Sequence, residues 1–381
     1  MTILHLTTFL QGGAGRAITA LAVAQRRRDH HVTVVASRTA PAGYGNYDEY
    51  LARLADAGVG VRLVDSMFAR EYAANLAVVN AVREMFPQRA ALDLIHAHAA
   101  IPSLVALTLA GSRRDSPRVL QTMHGWGVRK TREQVDTDVA LLNLVHRVAV
   151  PSAQAREHLT SLGVSPRRLE VVSYGVGESG AEMDRRDRTL VDAMMHARRN
   201  GRLVLAAVGT VGERKNQRLI VDALATSEAP DTFCVFVGDG ETAGLAAAIR
   251  DAGLTEHCRI HGYSAAARRI AAAADVFVLP SRNEGQPLSV LEAFADGVLV
   301  AVSDIPELAE LVDDGMTGRL FDVDDPVSLA RVLTRIASMS DADAAAMRGR
   351  ARQVYGATFT EAAMVDRYDR VYQGLLRVRS V

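Results

Sequence analysis

The chain is expected to fold as two α/β domains, each built on a parallel sheet. Short apolar runs of strand length alternate with helical segments from end to end, which is the pattern of βαβ units. At 381 residues the chain exceeds one typical core and divides naturally into two domains of about 150–200 residues. An apolar content of 49% is enough to fill both.

In the first half, strands are expected at 2–7, 32–37, 61–64, 94–97, 119–122 and 147–150, with helices between them, for example at 15–28 and 47–57. Val171-Val172-Ser173-Tyr174-Gly175-Val176-Gly177 reads as a last strand leaving the first domain. Residues 178–200 are charged and weakly patterned, as a linker plus a leading helix would be. A second series opens with Leu203–Gly209 and continues through 233–237, 258–261, 275–279 and 298–302. Gly315 and Gly318 flank a short connection, and a helix is expected at 327–338. The last helix, 360–377, sets Tyr368, Val371, Tyr372, Leu375 and Leu376 on one face. No repeat or low-complexity tract interrupts the series.

Composition narrows the function. Formal net charge is zero, which gives no argument for nucleic acid or a strongly anionic surface. Cys234 and Cys258 make neither a disulfide framework nor a metal cluster. The opening Met1-Thr2-Ile3-Leu4-His5-Leu6 lacks the basic leader of a signal peptide. No apolar run approaches the ~18 residues that cross a bilayer. The expectation is a soluble cytoplasmic protein, with peripheral membrane contact left open. Of 44 basic residues only Lys130 and Lys215 are lysine, so each invites a chemical explanation.

The most informative stretch is Asp275-Val276-Phe277-Val278-Leu279-Pro280-Ser281, followed by Glu284-Gly285-Gln286-Pro287-Leu288 and Glu292. A buried strand stops at Pro280, a polar loop carries Glu284, and Pro287 suits the first turn of a helix that carries Glu292. Backbone N–H groups within the stretch 285 to 288 at a helix N-terminus would attract phosphate, and the two acids would hold hydroxyl-bearing ends of a ligand. The same acids would also suit an ordinary surface loop and helix. The element resembles the E-x7-E signature of retaining glycosyltransferases of the GT-B fold, specifically glycosyltransferase family 4.

Further segments resemble the family in the same order along the chain. Gly12-Gly13-Ala14-Gly15 resembles its Gly-Gly turn beside the donor diphosphate, with Gly13 the best single position. A dinucleotide fingerprint fits less well, because Ile18 stands where G-x-G-x-x-G needs its last glycine and strand two ends in Ser37-Arg38. Arg38 would still suit a 2′-phosphate. Thr122-Met123-His124-Gly125-Trp126-Gly127 resembles the strand-end His-Gly whose histidine reaches the transferred sugar. His98 closes Ile95-His96-Ala97-His98, a pair that lacks an evident third ligand for a metal. His98, Trp126 and Lys130 are candidates for an acceptor pocket. Val208-Gly209-Thr210-Val211-Gly212-Glu213-Arg214-Lys215 is similar to the segment whose Arg and Lys meet the diphosphate. Lys215 matches, Thr210 replaces the usual Arg, and Arg214 is the candidate substitute. Gly238 in Phe236-Val237-Gly238-Asp239-Gly240 is similar to a turn that borders the nucleotide, and His261 lies in a segment like the one whose backbone reads the base.

The resemblance implies a GT-B fold of two facing Rossmann-like domains with a cleft between them, one spanning 1–177 plus 366–381 and the other 178–365. The first would bind an acceptor and the second a nucleoside-diphosphate sugar, with UDP preferred over GDP. It implies transfer of a hexose or N-acetylhexosamine to a hydroxyl with retention, by a front-face mechanism, and with no metal or other cofactor. His124, Lys215 and Glu284 would be the catalytic residues. Two rival readings are a non-catalytic nucleotide-sugar-binding protein and an NADP-dependent reductase.

Overall fold

The computed structural model describes residues 1–40, 43–86, 92–111, 116–127, 130–177 and 181–377. The chain divides into two compact units, one of Met1–Gly175 together with the segment from Glu361 onward, the other Val176–Thr360. Residues 178–180 of the expected linker and 378–381 of the expected first domain lie outside the described residues.

Unit 1 runs β1 (Thr2–Leu6), α1 (Gly12–Arg27), β2 (His31–Ser37), α2 (Asp48–Asp56), β3 (Gly60–Val64), α3 (Tyr72–Met85), β4 (Leu94–Ala97), α4 (Ala100–Ala110), β5 (Arg118–Thr122), α5 (Arg132–Leu144), β6 (Arg147–Val150), α6 (Ala153–Ser161) and β7 (Leu169–Val171). Its strands are parallel in the order β3-β2-β1-β4-β5-β6-β7. Successive strand residues face opposite sides of a sheet. Leu4 and Leu6 of β1 therefore join the core formed with Val78, Val82 and Val105 of α3 and α4. His5 points the other way, toward Gln25 of α1.

Unit 2 runs α7 (Arg185–Arg199), β8 (Leu203–Val208), α8 (Arg218–Leu224), β9 (Thr232–Val237), α9 (Thr242–Asp251), β10 (Cys258–Gly262), α10 (Ala267–Ala272), β11 (Val276–Leu279), α11 (Leu288–Asp296), β12 (Leu299–Ser303), α12 (Pro306–Ala309), β13 (Arg319–Phe321), α13 (Pro326–Ala337) and α14 (Asp341–Thr358). Its parallel order is β10-β9-β8-β11-β12-β13. The last helix, α15 (Glu361–Arg377), belongs to unit 1, where Arg28 at the end of α1 reaches Asp366 and Asp369. Each sheet reverses its strand order once, between β1 and β4 and between β8 and β11. Such switch points leave a crevice at the carboxyl ends of the strands.

Three elements differ from expectation. The strand expected over 171–177 is instead the short β7, because the chain leaves β6 after Val172 N–H donates to the Val150 carbonyl. β13 follows directly on the connection flanked by Gly315 and Gly318, where no strand is expected, since three residues are too few for a periodic signal. α14 was not anticipated, since it buries only Met347 and Ala351 and its apolar stripe is correspondingly thin.

Candidate active site

In unit 2 the switch point joins Lys215, on the turn after β8, to Glu284, on the loop after β11. Lys215 Nζ donates to Glu284 Oε1 at 2.6 Å, and Arg214 Nη1 lies 3.4 Å from Oε2. Glu284 keeps only 7% of its side chain exposed. Burial alone pushes a carboxyl pKa up, but the Lys215 and Arg214 charges outweigh it and hold Glu284 below the usual range. The two loops are also laced through their backbones. Arg282 N–H donates to the Arg214 carbonyl, Arg282 Nη1 to the Glu213 carbonyl, and Arg214 Nη1 to the Asn283 carbonyl. Thr210 is exposed, so the second cation on this carboxylate is Arg214.

Neighbouring residues that the sequence reading passed over shape the Lys215 turn. Asn216 adopts φ +53°, a left-handed conformation that Asn tolerates better than most residues, and its Nδ2 donates to the Val323 carbonyl. Buried Gln217 accepts from Gly212 N–H and donates to the Gly209 and Thr210 carbonyls. An Asn directly after a Gly-rich turn and a Lys is the one local signal that could have marked this bend.

Gly238 is required by close approach, since a Cβ there would lie 2.1 Å from the Gly209 carbonyl oxygen. Its N–H donates to the Gly262 carbonyl. His261 Nε2 lies 2.7 Å from Asp187 Oδ1, and its carbonyl accepts from Arg186. Both residues therefore hold this end of the sheet together. Gly285 and Gln286 lie in the loop before α11, Pro287 caps the helix and Leu288 opens it. The first-turn N–H groups have no partner inside the helix. Glu292, buried in α11, lines a small cavity with Val208, Phe277, Ser289 and Arg268. Arg268 is held by both oxygens of Asp296 at 2.7 Å.

In unit 1, Gly13 lies in the first turn of α1, which begins at Gly12 rather than at the expected residue 15. Gly15 is the position packing demands, because a Cβ would sit 2.5 Å from the Leu10 carbonyl carbon. His98 follows β4 and His124 follows β5, with His98 Nδ1 3.0 Å from His124 Nε2. His124 Nδ1 lies 2.6 Å from the Tyr174 hydroxyl, so both its ring nitrogens have protein partners. Burial pushes its pKa down to about 4. The third histidine that the sequence reading lacked is His5, whose ligand atom lies within 4.8 Å of those of His96 and His98. The cause is topological, since β1 and β4 pair with His5 opposite His96. Lys130 Nζ stands 3.5 Å over the Trp126 ring and donates to Asp138, which also binds Arg70.

Two family models match the chain. The model described as "Glycosyl transferase 4-like domain" covers residues 12–175, and "Glycosyl transferases group 1" covers 194–354. Similar curated proteins include the Escherichia coli UDP-Gal:alpha-D-GlcNAc-diphosphoundecaprenol alpha-1,3-galactosyltransferase, 27% identical over 64% of this chain and 66% of that protein. Another is the D-inositol 3-phosphate glycosyltransferase of Streptosporangium roseum, 31% identical over 58% of this chain and 54% of that protein. The chain thus spans just under two thirds of the first of these relatives and about half of the second. Among solved structures, Anabaena HepE in complex with UDP and glucose superposes with a TM-score of 0.80 at 17% identity, over 98% of this chain and 100% of that one. Sucrose-phosphate synthase from Thermosynechococcus elongatus gives 0.79 at 19%, over 99% and 100%. The structural likeness establishes the fold and the two models the family: the chain has the GT-B fold and belongs to glycosyltransferase family 4.

Proposed function

We propose that the protein transfers a hexose or N-acetylhexosamine from a nucleoside-diphosphate sugar to an acceptor hydroxyl, with retention and without a metal. The observation that carries this is the Lys215–Glu284–Arg214 cluster at the β8/β11 switch point, beside the N-terminus of α11. A diphosphate entering there meets Lys215, Arg214 and the N–H groups of Gly285, Gln286 and Leu288, Pro287 having none. Lys215 then shares its charge between phosphate and Glu284, whose ionised oxygens accept from sugar hydroxyls. Glu292 takes the ribose hydroxyls. In unit 2 the Thr210 turn borders the phosphates, while Gly238 and His261 shape the loops around the base; in unit 1 the Gly13 turn is the family's candidate for a donor contact. His124 meets the sugar near C6 once one of its two ring bonds opens. Trp126 and Lys130 line the acceptor side.

In the front-face step the bond from the anomeric carbon to the leaving phosphate oxygen breaks. The acceptor oxygen bonds to that carbon on the same face, and its proton passes to the departing phosphate. The positive groups named here meet the charge that develops on the diphosphate. The relative that uses UDP-galactose and the neighbour that binds UDP and glucose favour UDP as the carrier. Thermal-shift measurements with UDP, UDP-glucose, GDP-mannose and NADPH, each in EDTA, test the reading. A nucleotide sugar at 100 times its dissociation constant should add about 2.7 kcal/mol of stability. A response to NADPH alone, or one that requires added magnesium or manganese, would overturn it.

A further inference from the structure

One unbroken run of hydrogen bonds crosses the interior of unit 1. It starts at the Tyr174 hydroxyl, 2.6 Å from His124 Nδ1, and passes from His124 Nε2 to His98 Nδ1 at 3.0 Å. His98 Nε2 meets His5 Nδ1 at 2.9 Å, and His5 Nε2 meets Gln25 Oε1 at 2.8 Å. Gln25 Nε2 then donates to the Tyr372 hydroxyl at 2.9 Å, which lies 2.8 Å from His96 Nδ1. His96 Nε2 ends the run at Thr122 Oγ1, 2.7 Å away and itself 3.0 Å from the Tyr368 hydroxyl.

A neutral imidazole has one N–H and one lone-pair nitrogen, so each histidine in such a run passes its direction to the next. Gln25 sets that direction. Its oxygen faces His5, so His5 donates from Nε2 and accepts at Nδ1. His98 and His124 must then also donate from Nε2, and Tyr174 gives its hydroxyl proton to His124 Nδ1. On the other side, the Gln25 nitrogen makes Tyr372 an acceptor that donates onward to His96 Nδ1. Burial keeps all four imidazoles neutral at neutral pH, with His5 and His124 pushed down to about 4 and His96 and His98 well below their ordinary value.

We infer that Gln25 and Tyr372 are positioning residues for His124: through this run they hold its ring neutral, with the proton on Nε2. The link to sugar transfer rests on the reading of His124 given above; the proton order does not. Three histidines with ligand atoms within 4.8 Å also meet the minimum for a metal. Yet the run uses both nitrogens of His5, His96 and His98, so a metal has to displace several of these bonds.

Nitrogen-15 correlation spectra of the histidine side chains, recorded on the full chain, test this. All four buried histidines should show a protonated Nε2 and a bare Nδ1. Tyr372→Phe removes the hydroxyl that anchors the Gln25 amide and should make the pattern at His5, His98 and His124 split or average. Tyr368→Phe lies beyond His96 and should leave it unchanged. Should Tyr372→Phe not fold, Gln25→Glu offers two acceptor oxygens, so His124 should keep its pattern while His96 moves its proton to Nδ1. A proton on His124 Nδ1 in the wild type, doubly protonated rings at pH 7, or one equivalent of zinc bound by these histidines would each overturn the inference. If no nucleotide sugar gives a thermal shift but the spectra hold, the donor-binding reading falls and the relay stands. If UDP-glucose binds and Tyr372→Phe moves no histidine signal, the relay falls.

Discussion

Units 1 and 2 each place polar side chains at a switch point between parallel strands, and they solve the burial problem in opposite ways. At β1/β4 the groups are neutral, each closing a hydrogen bond with the next, and His5 and His96 are wholly buried. At β8/β11 the groups are ions: Glu284 is buried, but the cations paired with it reach toward solvent, with Arg214 51% exposed and Lys215 13%. Burying a neutral group costs little once it is hydrogen-bonded, whereas burying an ion remains expensive even when paired. The ionic cluster is thus the one able to exchange its partners for a charged ligand. The neutral run is suited to holding a geometry.

Removing the charge from the ionic cluster should have the largest effect. Lys215→Ala is expected to fold and to lower turnover of the donor sugar by about 10²–10³, with Lys215→Arg a partial rescue. Turnover near wild type, measured as release of the nucleoside diphosphate, would show that Arg214 carries the diphosphate and would erase the functional contrast between the units.

Acid should separate the units next. The folded pKa of His5 is about 4 against an ordinary 6.5, so between these values the unfolded chain binds more protons and stability falls as pH drops. The shift corresponds to roughly 3 kcal/mol for this residue at the limit. Glu284 is depressed from an ordinary 4.5, so its contribution is retained until pH falls below that value. Hydrogen exchange at pH 5 should therefore show β1 and β4 losing protection relative to pH 7 while β8 and β11 keep theirs. Equal loss in both sheets would break the comparison.

The smallest effect is expected from Arg214→Ala. An exposed cation 3.4 Å from its partner contributes about 0.5–1 kcal/mol, so turnover should change by roughly two- to fivefold. A loss as large as that of Lys215→Ala would make Arg214 an equal partner in the cluster.

Most of this architecture was legible in the chain. Alternating apolar runs mark the buried strands, and the positions of Lys215 and Glu284 follow from loops at the carboxyl ends of β8 and β11. Their pairing was not legible, because a separation of 69 positions carries no signal of which strands become neighbours. The same gap hid His5 from His96, since only the β1/β4 register sets them side by side. His5 did leave one trace, as a buried polar residue between Leu4 and Leu6 in a strand that is otherwise apolar after Thr2. The roles of Gln25 and Tyr372 left none, because a Gln and a Tyr on helix faces are common for many reasons.

The closing hydroxyl of the relay has a consequence for biogenesis. Unit 2 is a contiguous stretch, but unit 1 needs α15, and Tyr372 follows His96 by 276 residues. At about 5–20 residues per second, synthesis places roughly 14–55 s between those two side chains. Unit 2 is therefore fully made before unit 1 can be completed, the reverse of the usual order from the N-terminus. Throughout that wait Gln25 Nε2 and His96 Nδ1 have water in place of the Tyr372 hydroxyl. The nascent chain must keep those two groups solvated until its own last helix arrives to seal them.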